Sequence, residues 1–319
     1  MFGNNSPVVT LNIEPDGARL LQVRGRKVES WRSVSFTADK MNDITTVDAD
    51  ALAEVLKDLF RSVKPAKTEV LLGITGIRSV YRIVVIPNVK SLKVEEAIRW
   101  VAAREIPLNI DEVNLSWHEL SKSKQERRVF LLATPKKILE SVEAVLARAK
   151  IKHKSVDLKP LALARFVNKP EAIIVDMEGG SATIVVIRNG EPRVMHTIVV
   201  KRDLAVADRV QRISNDLLRT MQFYNNAHPQ DPVTTSTNAF ITGKLADSPD
   251  MIQMVADSIP YPLGEPRQCL EYPNDFPPFE YAVNIGLALR ERSVSKGNKE
   301  YESGQCSINV GLMAYADRG

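Results

Sequence analysis

Few residues in this chain have the types and spacing that chemistry needs. His118, His153, His196 and His228 are scattered, with no carboxylate or cysteine at coordinating spacing, so neither a metal site nor a catalytic base is expected from them. Cys269 and Cys306 form no CxxC and no paired spacing, which excludes zinc and a disulfide framework and fits a reducing compartment. Ser181 has no nucleophile-elbow pattern around it and no histidine nearby. What remains is a set of polar turns at strand ends. They are Asn12-Ile13-Glu14, then Asp176-Met177-Glu178 followed by Gly179-Gly180-Ser181, and Thr242-Gly243-Lys244. Glycine lets backbone N–H groups come close to a ligand, whereas a strand-end Asp reads either as a turn cap or as a metal-ordering group.

The elements that would position these turns can be read from periodicity. Three strands open the chain, Val8 to Ile13, Ala18 to Val23 and Lys27 to Phe36, followed by an amphipathic helix from Asp48 to Val63 and a short strand from Glu69 to Ile74. Residues 77–157 read as strand, helix, strand, strand, helix, strand, an inserted unit with its own pattern. The opening then repeats. Ala172 to Asp176, Ser181 to Ile187 and Arg193 to Val200 form a second meander, and a long helix from about Arg202 to Asn225 follows. A strand at Ala239 to Ile241 and helices at Asp250 to Ser258 and Glu280 to Glu291 complete the pattern, and Ser293 to Gly319 reads as a loose tail. With 319 residues, 44% hydrophobic and 26% charged, the composition is globular, and a net charge of +4 is too small and dispersed for a nucleic-acid interface. Met1 to Pro7 lacks the basic start and apolar run of a signal peptide, and no stretch approaches the ~18 apolar residues of a membrane span, so direct membrane insertion is not expected.

Two βββα halves with polar turns resemble the actin, Hsp70 and sugar-kinase superfamily, and the insertion narrows the resemblance. Pro87, Val94-Glu95-Glu96-Ala97-Ile98-Arg99-Trp100, Glu105-Ile106-Pro107 and Asp111-Glu112-Val113, in that order, are similar to the insertion of the PilM-type type IV pilus assembly family, itself similar to the division protein FtsA. Ala133-Thr134-Pro135-Lys136, the run Val156 to Ala164, Arg188-Asn189-Gly190-Glu191 and Gly286-Leu287-Ala288-Leu289-Arg290 add to the match. The fold so implied is α/β and actin-like (ribonuclease H-like), with duplicated βββαβα lobes, an inserted α+β subdomain in the first lobe and a reduced upper part of the second. The expected boundaries are 1–76 with 158–170 for the first lobe, 77–157 for the insertion, 171–292 for the second lobe and 293–319 for the flexible tail.

In that superfamily, as the resemblance implies, two Asp-x-Gly turns grip nucleotide phosphates. Here Asn12-Ile13-Glu14 has an amide for the acid and Glu for the glycine, and Asp176-Met177-Glu178 keeps the Asp but also ends in Glu. Each carboxylate facing a phosphate about 4 Å away costs roughly 4 kcal/mol at an effective dielectric near 20, about a thousandfold in binding constant. Gly179 and Gly180 could restore the second turn by a register shift, while Gly243-Lys244 has lost the second glycine of the adenosine-side motif. The expectation is a degenerate nucleotide site at Asn12, Glu14, Asp176, Glu178, Gly179, Gly180, Ser181, Gly243 and Lys244, with no catalytic residue, no metal and no required cofactor, ATP with magnesium being at most a weak ligand.

The resemblance also implies a cytoplasmic scaffold, peripheral at the inner face of the membrane, that holds the N-terminal peptide of a PilN-like bitopic protein and connects it to the pilus motor. The expected peptide groove involves Pro87, Ala97, Ile98, Trp100, Ile106 and Pro107, with Trp100 readable either as core or as groove lining. An actin-like ATPase whose nucleotide state controls partner binding or self-assembly is the competing reading. Ser307-Ile308-Asn309-Val310 echoes the partner peptide, so the tail is expected to compete for the groove in cis.

Overall fold

A computed structural model describes residues 6–36, 44–45, 48–65, 69–89, 93–201 and 203–295. The opening meander is β1 (Val8–Glu14), β2 (Gly17–Arg24) and β3 (Lys27–Ser35). The amphipathic helix α1 (Ala49–Val63) follows, capped by Asp48, whose side chain accepts from the N–H groups of Asp50 and Ala51, and then β4 (Glu69–Ile74). β5 (Val80–Pro87), α2 (Val94–Glu105), β6 (Val113–Lys122) and β7 (Glu126–Pro135) build a separate three-stranded antiparallel sheet ordered β5-β7-β6. One of its faces is closed by α2, through Ile98, Val101 and Ala102 against Val84, Ile86, Val129 and Leu131.

The chain then returns to the first lobe through α3 (Lys136–Ala149) and β8 (Lys152–Leu158), which pairs in parallel with β4 to complete a five-stranded sheet ordered β3-β2-β1-β4-β8. The inserted sheet is therefore shorter than the expected span of 77–157. Periodicity located α3 and β8 but could not say which sheet they join, and hydrogen bonding to β4 assigns β8 to the first lobe.

After α4 (Lys159–Val167), the second lobe repeats the first with β9 (Ala172–Met177), β10 (Ser181–Arg188), β11 (Glu191–Val199), α5 (Val206–Ala227) and β12 (Ala239–Thr242). Its order, β11-β10-β9-β12, matches β3-β2-β1-β4 strand for strand. Where β8 would have its counterpart, a single parallel bridge among the described residues joins Ala239 to Leu263. Among the described residues no further strand lies between β11 and α5, so the upper part of this lobe is reduced as expected. α6 (Pro249–Ser258) and α7 (Ala282–Ser295) finish the described chain. The tail expectation, including Ser307 to Val310, lies outside the described residues.

α4 and α7 cross between the two sheets. A Cβ on Gly286 would lie 1.9 Å from the carbonyl oxygen of Ala162, so only a glycine permits this approach. The Arg165 Nε donates to the Gly286 carbonyl at 3.0 Å, fixing the crossing. Both helices belong to runs that carried the family resemblance, and their crossing gives those runs a packing reason.

Candidate functional site

The strand ends of the two meanders meet in the cleft between the lobes. β1 delivers Asn12 and Glu14, β9 delivers Asp176 and leads into Glu178, and all four residues are at most 1% exposed. Burying these carboxylates requires partners, and the chain supplies two cations. The Lys159 ammonium, itself fully buried at the start of α4, lies 2.9 Å from Glu14 Oε1, 2.6 Å from Asp176 Oδ2 and 4.0 Å from Glu178 Oε1. Arg19, in the middle of β2, donates from Nη1 and Nη2 to the two oxygens of Glu178 at 3.0 and 2.7 Å, and from Nε to Glu280 Oε1 at 3.1 Å.

Neutral groups fix the carboxylates from behind. Asn12 Nδ2 donates to Glu14 Oε1 at 3.0 Å, and the Thr242 hydroxyl donates to Asp176 Oδ1 at 2.8 Å. Backbone donors of the other turns are also used within the protein. The Gly179 N–H donates to Asp16 Oδ2 at 2.9 Å, joining the two lobes' turns to each other, and the Gly243 N–H donates to the Phe279 carbonyl at 3.0 Å. Gly243 has φ +92°, and a Cβ there would meet the Met177 carbonyl oxygen at 2.5 Å, so this glycine serves chain packing. Lys244 directs its backbone N–H toward Glu178 Oε2 at 3.4 Å and its ammonium to the Ser35 hydroxyl at 3.1 Å. Gly180 accepts from the Val200 N–H, and the Ser181 hydroxyl is buried beside it.

Three acidic groups thus share two cations in a buried cleft, before Glu280 at its edge is counted. Burial is the main force that pushes the Glu178 carboxyl up, to about 8, with Asp176 and Glu14 adding to it and Arg19 and Lys159 opposing it. Glu14 is raised for the same first reason. Lys159 is raised despite burial, because Asp176, Glu14 and Glu178 together outweigh the desolvation that would lower it. A polyphosphate entering here would meet carboxylates rather than open N–H groups, and the cations that could receive it are already paired.

The sequence reading brought Asn12, Glu14, Asp176, Glu178, Gly179, Gly180, Ser181, Gly243 and Lys244 to one place, and they do adjoin. It missed Arg19 and Lys159. The signal was present, since each is a charged residue inside an apolar run, Ala18 to Val23 and Val156 to Val167.

The expected peptide groove does not form as read. Ala97, Ile98 and Ile106 are sealed in the core of the insertion at 9%, 2% and 4% exposure, and a side chain packed there cannot line a groove. Pro87, Trp100 and Pro107 are exposed, Trp100 at 67% with the Arg104 guanidinium 5.2 Å from its ring centre. The recess that does adjoin the insertion is a cavity of ≈ 180 Å³ lined by Ser79, Tyr81, Leu132, Pro160, His196 and Thr197 among others, where the insertion, the first lobe and the edge strand β11 come together.

Comparison with known proteins agrees with this architecture. The profile of the family described as Type IV pilus assembly protein PilM matches residues 21–220. None of the curated proteins matches the chain. Among solved structures, the PilM-PilN type IV pilus biogenesis complex superposes with a TM-score of 0.71 at 19% identity, over 90% of this chain and 99% of the other. The ethanolamine utilization protein EutJ of Carboxydothermus hydrogenoformans gives 0.53 at 11% identity, over 91% of each chain. The cytoplasmic domain of EpsL, an inner membrane component of the type II secretion system of Vibrio cholerae, gives 0.50 at 13% identity, over 93% of this chain and 97% of that domain. At such identities the structural likeness speaks for the fold alone.

Proposed function

We propose, from the premise that the chain belongs to the PilM family of type IV pilus assembly proteins, that it works as a binding scaffold whose action does not depend on ATP turnover. The observation that carries this reading is the buried network of Lys159 and Arg19 with Glu14, Asp176 and Glu178. It pairs from within the charged groups that a nucleotide and its metal would otherwise engage. Such a ligand does not fit these residues, and no step is assigned to it.

The partner is a PilN-like membrane protein, supported by the solved PilM-PilN complex that this chain resembles. Its short cytoplasmic segment is held at the cavity beside Tyr81, Ser79 and Thr197, which combines polar groups with an edge of β11 that no strand among the described residues pairs with. An extended peptide can use such an edge for main-chain hydrogen bonds and the recess for a side chain. Among the described residues no helix is long and apolar enough to cross a membrane; attachment at the inner face comes through the partner, which the scaffold connects to the pilus motor.

Titration calorimetry with a synthetic peptide of the partner's cytoplasmic segment tests this. Binding is expected without nucleotide and unchanged by magnesium-ATP. Thr197→Trp, which fills the cavity, should weaken it by at least about tenfold, or ~1.4 kcal/mol. A requirement for nucleotide, or micromolar affinity for a fluorescent ATP analogue, would defeat the scaffold reading. If Trp100→Ala weakens binding while Thr197→Trp does not, the seat lies on the exposed face of the insertion instead.

A further inference from the structure

Lys159 opens helix α4, where an ammonium is electrostatically disfavoured by the helix dipole, so its charge is not explained by helix capping. Instead the side chain carries its ammonium into the space between Glu14 of one lobe and Asp176 of the other, at 2.9 and 2.6 Å, with Glu178 at 4.0 Å. Two of these carboxylates are held in place by other groups, Glu14 by Asn12 and Asp176 by Thr242. Glu14 Oε2 is buried and makes no hydrogen bond, leaving an oxygen of the cage without a donor. Anchored carboxylate oxygens drawn from two lobes are the donor set that hard divalent cations take.

We infer that Lys159 is a tethered cation. Its ammonium fills a carboxylate cage that would otherwise bind a free divalent ion, and it thereby holds the lobes together without a dissociable ligand. This deepens the reading of the cleft as free of nucleotide and rests on it. Because the occupant is covalently attached, closure of the cleft is built into the fold.

The test compares the full chain with K159A, K159M and the double variant K159A/D176N, by thermal unfolding with and without millimolar MnCl2 and by Mn2+ titration under electron paramagnetic resonance. Wild type should not respond to Mn2+. K159A should melt lower, bind Mn2+ at least about tenfold more tightly than wild type and recover midpoint with it. K159M, whose side chain still fills the cage, should be destabilised without metal recovery, and D176N should abolish the recovery in the double variant. Should K159A not fold on its own, the readout becomes refolding from denaturant, which Mn2+ is expected to rescue.

Absence of any Mn2+ effect on K159A in both assays would overturn the inference, as would an equal effect on wild type. Binding of magnesium-ATP to wild type would instead defeat the nucleotide-free reading. The K159A titration would still report on the cage, so the two failures are separable.

Discussion

Arg19 shows what a single charge does in this cleft. It is 5% exposed and bridges Glu178 and Glu280, so replacing it with Met leaves Glu178 buried without its closest partner. Above about pH 8, where Glu178 is ionised beside Arg19, Arg19→Met should cost about 3–5 kcal/mol in urea denaturation, and a further Glu178→Gln change should recover much of that loss by removing the orphaned charge. Glu178 also predicts a pH dependence. Its folded value of about 8 lies above the ordinary 4.5, so the folded state keeps a proton that the unfolded chain releases. The stabilisation is complete below the unfolded value and is lost as pH rises through the folded one. The denaturation midpoint of wild type should therefore fall between about pH 5 and pH 9, and that of Glu178→Gln should fall less; equal slopes would contradict the assignment. The two glutamates were visible in the sequence as anions at corresponding turns. Their cations were marked only as charges inside apolar runs, and the pairing itself was not visible, because Arg19 and Glu178 are 159 residues apart and nothing local links them. Read without those partners, the turns imply only repulsion of a ligand. With them, the same residues form a bond between lobes.

Elements were legible in proportion to their periodicity. α1, with Leu52, Leu56, Leu59 and Phe60 turned inward, could be read from spacing alone. α4 could not, because every residue from Lys159 to Val167 is buried and a helix enclosed on all sides has no polar face to mark its period. β8 was found but placed with the insertion, since strand order is set by hydrogen bonds across the sheet and leaves no trace in the strand itself. The crossing of α4 and α7 gives the element-scale prediction. Gly286→Ala puts a methyl group 1.9 Å from the Ala162 carbonyl oxygen, a rigid backbone atom, and must push the helices apart. A loss of at least about 2 kcal/mol is expected in denaturation, well beyond the small gain that alanine normally brings to a helix interior. A neutral or stabilising result would mean that the crossing is looser than the structure has it.

At the scale of the whole molecule, the insertion is held by the second lobe as well as the first. The Tyr81 hydroxyl donates to the Arg193 carbonyl at 3.0 Å and accepts from the Met195 N–H at 2.8 Å, standing in for a neighbouring strand on the edge of β11. Burial pushes this hydroxyl up to about 12, so it keeps the proton it donates. Arg128 adds a two-pronged pair to Glu191, both bonds 3.0 Å. Together with the buried network and the helix crossing, these contacts tie insertion and lobes into one frame around the cavity proposed for the partner peptide. Tyr81→Phe removes both hydrogen bonds and little volume, and it should cost only about 1 kcal/mol of global stability because the edge groups can turn to water. Its local effect should be larger. Exchange of the Met195 amide should quicken while amides in β9 keep their protection, and adding Arg128→Ala should extend the faster exchange along β11. If Met195 exchanges at the wild-type rate in Tyr81→Phe, the insertion is not held to β11 through this hydroxyl, and occupancy of the cavity would have no route by which to reach the lobes.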